Sequence, residues 1–546
     1  MLHNVIILLS VWVVTFSGIA EAHSPPADLI LLNGKIFTSE TSHSSAEALA
    51  IEGERISAVG SNADIKKLIG KNTRTIDLKG MTVVPGFNDA HSHFGPTFQG
   101  IELKITELEP TWLETIAALK AAVASTTKGK WIFATVGGAV INEQEASRAT
   151  LDSLAPENPV LFSTYFGHGA IFNSKAMSLL GISETQADRY GGRFDRENNS
   201  KRLTGRMFEY AQWYYDRKLV EQGTDEQLIA ELKRRAADHA AFGITSRQTM
   251  PGIGIERFVR LLNKADLPIR VRAIPFSLTS GNGREMAEIR VLRSLRGSSS
   301  MVTVSGIKWI LDGTPIERGA ALNADYKDKA GWKGQLNFSE VEIKKILRES
   351  LRLNQQILLH CVGDRACGSV LDAMDEIAQA GKVDWRTKRV RLEHAENVTG
   401  EMIDRAKLLG VVIVQNPTHF TDGELGRARW GSGKAPIRTY IEKGIPFALG
   451  SDGPANPFLN IMFAVIHPDN PGQAITREQA VHAYTLGAAF AEFTEKDKGS
   501  LAKGKLADLA VLSQDIFSIP VDALPGTTSV LTLVGGKIVH DAKILK

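Results

Sequence analysis

The sequence is poor in cysteine and in net charge, and each shortage excludes a class of protein. Cys361 and Cys367 are the two cysteines in 546 residues, too few for a disulfide framework. They can form a single bridge in an exported chain, or both can be buried thiols. The formal net charge is +3, and Lys and Arg are scattered. The sequence therefore lacks the basic surface of a nucleic-acid-binding protein and the polybasic arm of a membrane-bound one.

Long hydrophobic runs are also scarce, and the clearest one lies at the start of the chain. Residues 5–19 are apolar, and Ala20-Glu21-Ala22 has the small-residue pattern of a cleavage site. We therefore expect residues 1–22 to be a signal peptide, with a secreted or periplasmic mature chain that begins near His23. The first four residues lack Lys and Arg, which leaves an uncleaved anchor as the alternative. No other segment reads as transmembrane, so we expect no stable membrane insertion after cleavage.

The two ends of the chain share short, turn-separated strand patterns. Such patterns run from 28 to 84 and again from 508 to 540, with turns at Asn33-Gly34, Glu52-Gly53 and Gly535-Gly536. Neither region is large enough to close a core of its own. We therefore expect one small β-domain built from residues 23–86 and 500–546, because chain termini often lie close together. Two separate hairpin regions are the alternative.

Between these ends the sequence alternates strand and helix patterns, as in a TIM-type (β/α)8 barrel. The eight expected strands are Val83–Phe87, Ile244–Gln248, Ile269–Ile274, Gly306–Leu311, Gln356–His360, Val390–His394, Val411–Gln415 and Pro446–Gly450. Helical spacing is seen at 340–353, 368–380, 400–409 and 477–492. We assign the barrel to residues 87–499, with an insertion at about 95–242 that is too long for one loop and is expected to roof the site. An open doubly wound sheet is the alternative, but no G-x-G-x-x-G follows a first strand.

Residues able to bind metal lie in or near the ends of these strands. They are His91 and His93 after the first strand, Lys308 in the fourth, and His360, His394 and Asp452 at the fifth, sixth and eighth. His91 and His93 are two residues apart, so in a strand they point to the same face. Each residue alone has an ordinary explanation as a hydrogen-bonded core group, a snorkelling lysine or a turn. Together they occupy the barrel end where catalytic groups cluster, which predicts a metal centre.

A set of longer motifs accompanies these residues along nearly the whole mature chain. The motifs are Pro85-Gly86-Phe87-Asn88-Asp89-Ala90-His91-Ser92-His93, Lys308 with Asp312-Gly313-Thr314, His360 with Gly363-Asp364-Arg365-Ala366, Arg391-Leu392-Glu393-His394, Ser451-Asp452 and the tail 499–509. With this set the chain resembles the amidohydrolase superfamily, in its YtcJ-like branch (amidohydrolase family 3). The resemblance implies a metal-dependent hydrolase with a (β/α)8 barrel and a β-sandwich formed by both termini.

The resemblance also implies roles for individual residues. The metal positions are His91, His93, Lys308, His360, His394 and Asp452, holding one or two divalent ions, with zinc the expected element. Lys308 matches a lysine that is often carboxylated in this superfamily, because a buried neutral amine can trap CO2 as a carbamate. An unmodified Lys308 with a single metal is the alternative.

We expect Asp452 to take a proton from the attacking water and pass it to the leaving amine. His394, or His168 of the insertion, is expected to stabilise the developing oxyanion. His168, Arg365, Asn416 and His419 are the expected substrate contacts, and for the last three an ordinary structural role is an equal alternative.

These observations predict an exported enzyme that hydrolyses a C–N bond of an amide, N-formyl or cyclic amide substrate. The same site would also serve an ester, a carbamate or a deaminable heterocycle. A non-catalytic metal- or ligand-binding protein is a further alternative, although mere binding requires neither an open metal position nor a base. A sugar-cleaving barrel lacks support because no convincing pair of cleft carboxylates is seen. The sequence leaves the oligomeric state open, a homodimer included.

Overall fold

The computed structural model describes residues 26–40, 44–292, 294–295, 299–430 and 435–545, without the side chains of residues 422–424 and 426. The expected signal peptide at 1–22 lies outside the described residues. Cys361 and Cys367 are buried free thiols, so the bridge considered from the sequence is not formed. No helix in the described ranges is long and apolar enough to cross a membrane.

The strands are β1 (Leu29–Leu32), β2 (Lys35–Phe37), β3 (Ser45–Ala46), β4 (Ala48–Glu52), β5 (Arg55–Gly60), β6 (Arg74–Asp77), β7 (Thr82–Pro85), β8 (Phe87–Ser92), β9 (Ile101–Glu102), β10 (Ile132–Val136), β11 (Val160–Thr164), β12 (Ala170–Phe172), β13 (Gly192–Arg196), β14 (Leu203–Glu209), β15 (Ile244–Thr249), β16 (Arg270–Ala273), β17 (Val302–Val304), β18 (Ile307–Ile310), β19 (Ile357–Cys361), β20 (Arg391–His394), β21 (Val412–Gln415), β22 (Phe447–Leu449), β23 (Leu509–Leu512), β24 (Ser529–Val534) and β25 (Lys537–Asp541).

The α-helices are α1 (Asn62–Lys66), α2 (Trp112–Ser125), α3 (Gly138–Ile141), α4 (Arg148–Leu154), α5 (Ser174–Leu180), α6 (Tyr210–Val220), α7 (Asp225–Ala240), α8 (Ile255–Ala265), α9 (Ala287–Val291), α10 (Glu340–Leu353), α11 (Asp364–Gly381), α12 (Glu401–Leu409), α13 (Gly423–Trp430), α14 (Ile437–Glu442), α15 (Pro457–Ile466), α16 (Arg477–His482) and α17 (Ala488–Ala491).

The two ends of the chain meet in one six-stranded sheet with the order β25-β24-β23-β7-β2-β3. In this sheet β23 pairs antiparallel with β7, which places Leu509 opposite Pro85. A second sheet, β5-β4-β1-β6, shares a hydrophobic core with the first, to which Leu31, Leu49 and Leu531 belong. The termini therefore bury a common core, which neither of them could form alone.

Two of the three hairpins expected in these regions are present. The strands β4 and β5 pair antiparallel across Glu52-Gly53, and so do β24 and β25 across Gly535-Gly536. The prediction of a hairpin at Asn33-Gly34 is wrong, because β1 and β2 belong to different sheets. A turn signal fixes a local reversal of the chain but does not decide which strands pair afterwards.

The middle of the chain forms two parallel sheets, β17-β16-β15-β8 and β18-β19-β20-β21-β22. The sheets meet at a parallel bridge between Phe276 and Lys308. At the opposite edges, the Asp452 backbone N–H donates to the His91 carbonyl over 3.0 Å. Seven of the eight strands expected from the sequence are found within a residue or two of their expected bounds.

The first expected strand, 83–87, is wrong, because the segment is divided between two sheets. Residues up to Pro85 belong to β7 in the terminal sheet, and the parallel sheet begins with β8 at Phe87. Gly86 alone separates them and lies so close to Thr245 that a Cβ atom there would overlap the threonine side chain. His91 consequently lies inside β8 instead of beyond a strand end, whereas His93 follows the strand.

The segment expected as an insertion contains a six-stranded sheet of its own, β13-β14-β12-β11-β10-β9. The expected strand patterns at 131–136 and 159–165 are β10 and β11, which pair in parallel. Of the expected helices, α10 has the predicted bounds, begins at the N-cap Ser339 and buries Ile343, Ile346 and Leu347 at helical spacing. The helix expected at 477–492 is interrupted by a π-helical turn between α16 and α17.

Candidate active site

Two histidines and an aspartate converge where the edges of the two parallel sheets meet. One side-chain ligand atom each of His91, His394 and Asp452 lies within 4.8 Å of the others, and we name these residues the His–His–Asp cluster. The Asp452 carboxylate is 3.7 Å from Nε2 of both His91 and His394. His93 joins them, with its Nε2 3.4 Å from Asp452 Oδ1. The expected His-x-His pair and the aspartate therefore face one point.

An unusual backbone conformation aims two of these side chains. His394 has φ 70° and Asp452 has φ 37°, in the left-handed region that residues with a Cβ atom seldom adopt. His394 is the last residue of β20, and Asp452 follows the end of β22 after Gly450 and Ser451. Because strand neighbours normally point to opposite faces, this turn allows both Glu393 and His394 to reach the same cluster. Backbone strain of this kind concentrates at functional sites.

A buried carboxylate fixes the orientation of His91. The Glu393 carboxylate accepts a 2.5 Å hydrogen bond from His91 Nδ1 and a 2.7 Å hydrogen bond from Arg391 Nε. His93 is held in the same way by the Met250 carbonyl, which accepts from Nδ1 over 2.9 Å. Both rings thus carry their proton on Nδ1 and turn Nε2 toward Asp452, which is the arrangement typical of histidines that bind metal.

The electrostatics of the site keep the imidazoles neutral. Burial lowers the pKa of His91, His360 and His394 well below the ordinary value. His360 lies beside the cluster, its ring centroid 4.5 Å from that of His394, and its buried Nε2 has no hydrogen-bond partner among the described residues. Neutral imidazoles, an unsatisfied buried nitrogen and a carboxylate fit a divalent metal ion.

Two charged groups complete this region. Burial alone would raise the pKa of Asp452, but the nitrogen groups around it, those of His91, His93, His419 and Lys308, together hold that pKa below the ordinary value. Lys308 is 1% exposed, and burial lowers its pKa to about 8, although the charges of Glu393 and Asp452 act in the opposite direction. The lysine therefore loses its proton far more readily than an exposed lysine, and a fraction of it is neutral at physiological pH.

A second buried carboxylate, which the sequence did not single out, ties the two sheet edges together. Asp89 of β8 accepts hydrogen bonds from the Ser451 backbone N–H over 2.8 Å and from the Ser451 hydroxyl over 2.6 Å. Arg247 Nη2 donates to the same carboxylate over 2.6 Å. Asp89 thereby fixes the position of Ser451, which precedes Asp452.

The insertion and the loop that follows β18 bring a second group of ionisable side chains next to the first. Its members, His168, Glu209 and Glu317, have one ligand atom each within 4.8 Å of the others, and we name them the His–Glu–Glu cluster. The His168 ring centroid is 4.8 Å from that of His360. Burial alone would lower the pKa of His168, but the 2.8 Å bond from its Nδ1 to Glu209 raises that pKa to about 9. His168 was expected at the site from the sequence, whereas neither glutamate was.

The remaining expected substrate contacts divide into two groups. His419 stacks on His394 at 5.5 Å, and its Nε2 is 3.3 Å from the Asp452 carbonyl, so it lies at the cluster. Asn416 is 1% exposed, and neither end of its side-chain amide has a hydrogen-bond partner among the described residues. Arg365 instead reaches the Gly334 carbonyl, and no described polar contact joins its side chain to the histidines.

Sequence comparison identifies relatives of similar length in plants and bacteria. Protein LONG AFTER FAR-RED 3 of Arabidopsis thaliana is 29% identical over 94% of this chain and 92% of its own. N-substituted formamide deformylase of Arthrobacter pascens is 26% identical over 91% of this chain and 95% of its own. Putative amidohydrolase YtcJ of Bacillus subtilis (strain 168) is 26% identical over 93% of this chain and 98% of its own.

Comparison with solved structures and with family models identifies the fold and the family. The chain superposes with a TM-score of 0.68 on an uncharacterized metal-dependent hydrolase from Pyrococcus horikoshii OT3, at 22% identity and over 90% of this chain and 99% of that one. The model of the amidohydrolase family matches residues 74–540. The expected YtcJ-like resemblance and the expected enzyme class are confirmed. The chain belongs to the amidohydrolase family.

Proposed function

We propose that the protein hydrolyses a C–N bond in an amide, N-formyl or cyclic amide substrate at the His–His–Asp cluster. The observation that carries the proposal is the convergence of His91, His394 and Asp452 within 4.8 Å, with imidazoles that burial keeps neutral. The relationship to an N-substituted formamide deformylase across 91% of the chain supports the choice of bond.

The proposal includes an architecture around the cluster. We infer that the two parallel sheets together form a (β/α)8 barrel over residues 87–499, interrupted by the insertion at about 95–242. The contacts from Phe276 to Lys308 and from Asp452 to His91, one at each pair of sheet edges, support this closure. The two terminal sheets form the β-sandwich assigned to residues 23–86 and 500–546.

We propose that the cluster and its neighbours hold one or two divalent ions. The residues are His91, His93, Lys308, His360, His394 and Asp452, and their nitrogen and oxygen donors suit zinc. A divalent metal ion held by these residues would lower the pKa of a water molecule and would polarise the substrate carbonyl. A carbamate on Lys308 would replace an amine cation, which has no lone pair, by oxygen donors, and the lowered pKa of Lys308 supports it.

Side chains of the site transfer protons and stabilise the developing negative charge during the reaction. Asp452 remains ionised and can accept a proton from water and transfer it to the leaving amine. His168 or His394 stabilises the developing oxyanion. His168 can do so while its bond to Glu209 keeps it protonated and its cluster holds no cation. We assign substrate contacts to His419 and Asn416, whose buried amide lacks partners, and retain Arg365 as a more distant contact.

Metal analysis of the purified protein, followed by a substrate screen with that metal, tests the proposal. The screen compares N-formyl amines, N-acyl amines and cyclic amides with esters, carbamates and aminated heterocycles. We expect stoichiometric metal and release of amine from one of the first three classes. Protein that binds metal but turns over only an ester, a carbamate or a heterocycle would move the assignment to that bond. Protein without metal would overturn it.

Export is proposed from the sequence of residues 1–22 alone. Amino-terminal sequencing of the mature protein should begin near His23, and a sequence that begins at Met1 would contradict export with cleavage. Light scattering of the same sample distinguishes a monomer from the homodimer that the sequence left open.

A further inference from the structure

We infer that the His–Glu–Glu cluster is a second binding site for a divalent cation, with no ligand in common with the His–His–Asp cluster. His168, Glu209 and Glu317 offer one nitrogen and two oxygen donors within 4.8 Å of one another. Three protein ligands of these types, with further positions left to water or substrate, are a usual coordination set for zinc. The side chains are fixed on separate elements, so their convergence is a property of the fold.

The buried carboxylates of the His–Glu–Glu cluster would be compensated by a bound cation. The three residues are 5–8% exposed, and Glu209 and Glu317 bring two carboxylates into this buried place. No Lys or Arg nitrogen among the described residues lies within 4.0 Å of either carboxylate, and the one ion pair that they form is between Glu209 and His168. With both carboxylates ionised, the cluster carries a net negative charge even when His168 is protonated, and burial raises the pKa of Glu317 in the absence of a cation. Buried charge that remains uncompensated is costly, and a divalent cation would compensate it.

Neighbouring groups orient the carboxylates without neutralising them. The Thr314 backbone N–H and hydroxyl each donate a 2.5 Å hydrogen bond to Glu317, and Asn337 Nδ2 donates to Glu209 over 2.8 Å. Outer hydrogen bonds of this kind are what holds carboxylate ligands in place in metal sites.

The backbone around the cluster is shaped to admit these carboxylates. Gly313 and Gly319 border Glu317 so closely that a Cβ atom at either position would overlap its Oε1. Glu209 itself has φ 57° and ψ −136°, a conformation that is strained for any residue with a Cβ atom. The carboxylates thus come together at the cost of backbone strain at Glu209, and glycine at positions 313 and 319 leaves room for Glu317.

Zinc stoichiometry in variants of the full chain tests the inference. Protein stripped of metal is reloaded with Zn²⁺, dialysed, and analysed by mass spectrometry for zinc per chain. We expect Glu317→Gln and Glu209→Gln to bind one zinc fewer than the parent. Glu349→Gln is the matched control, since this partly buried glutamate on α10 pairs with Arg284 away from both clusters and should leave the count unchanged.

A second variant tests zinc binding at the His–Glu–Glu cluster after the His–His–Asp cluster has been disabled. The double substitution His91→Ala and Asp452→Ala removes two ligands of the first cluster and should leave one bound zinc, which the further change Glu317→Gln should remove. Equal zinc in the parent and in Glu317→Gln would overturn the inference, as would a folded double variant that binds none. If the double variant does not fold, the comparison of Glu317→Gln with Glu349→Gln decides. Because zinc is counted without substrate, the outcome is independent of the proposed reaction.

Discussion

The two clusters both combine histidine with carboxylates, yet the pKa of histidine is lowered in one and raised in the other. In the His–His–Asp cluster, imidazoles outnumber the carboxylate, and burial lowers the pKa of His91 and His394. In the His–Glu–Glu cluster, the carboxylates outnumber the imidazole, and the pKa of His168 rises to about 9. Both environments are buried, so burial alone does not decide the protonation state. The charges around each ring decide it. Lys308, His93 and Arg391 add to the lowering that burial causes at His91, whereas Glu209, Glu317 and Asp452 outweigh burial at His168.

The largest expected effect is the loss of turnover when the Asp452 carboxylate of the His–His–Asp cluster is replaced. Asp452→Asn keeps an oxygen ligand but removes the proton acceptor, so turnover should fall on the order of 100-fold or more while much of the metal is retained. Steady-state kinetics and zinc content measured on the same sample separate the two properties. Asp404→Asn, on the surface and paired with Lys443, serves as the control. A variant as fast as the parent would transfer the base to His394 or His168.

Loss of the buried lysine should impair assembly of the site. Lys308→Ala is expected to lower metal content and activity together, by more than the roughly 10- to 100-fold that loss of an outer partner costs. Short carboxylic acids added to this variant should restore part of both, because they can replace the carbamate oxygens. Full metal and full turnover in Lys308→Ala would refute the carbamate, and Lys344→Ala, paired with Glu376, is the control.

Removal of the Glu393 carboxylate, which accepts the hydrogen bond from His91, should have a smaller effect on metal binding. Glu393→Gln weakens the hydrogen bond that fixes the ring, so metal affinity should fall roughly 10- to 100-fold. Competition with a chelator of known affinity measures the change. An unchanged affinity would mean that Glu393 serves only to neutralise Arg391.

The smallest effect sharpens the contrast between the two histidine environments. The folded-state pKa of His168 is raised to about 9, above an unfolded value near 6.5, so its bond to Glu209 stabilises the metal-free protein fully below about pH 6.5. That contribution, about 3 kcal/mol at most, is lost as the pH rises through 9. The Tm of the metal-free parent should therefore fall more between pH 6.5 and 9.5 than that of Glu209→Gln. Parallel curves would contradict the assignment.

The parts of the fold that could be predicted are those with a local signature. Seven parallel strands and the bounds of α10 follow from apolar spacing, because that spacing reports burial directly. The strand at 83–87 could not be assigned correctly, since Val83 and Val84 suit a strand of either sheet. Only the distant partner β23 decides the matter.

The candidate site shows the same limit. Histidines and an aspartate at strand ends are recognisable from the sequence, because few other roles place them there together. Glu393 and Asp89 are not, since their functions depend on His91 and Ser451, which lie 302 and 362 positions away from them. Glu209 belongs to the insertion and Glu317 to a loop. In neither place does a periodic pattern of apolar residues mark the side chain as buried.

The single-residue junction at Gly86 has a consequence for how the protein can be made. The strand β8, which carries His91, continues directly from β7, and β7 is fixed on one side by β23 near the end of the chain. During synthesis the first metal-binding residues therefore emerge several hundred residues before the strand that sets their register. A chain that ends before Leu509 should reach neither a defined β8 nor a competent site, although no hydrogen bond or ion pair among the described residues joins residues 509–545 to the clustered histidines. The carboxyl-terminal segment is thus expected to be needed for a competent site that it does not itself line.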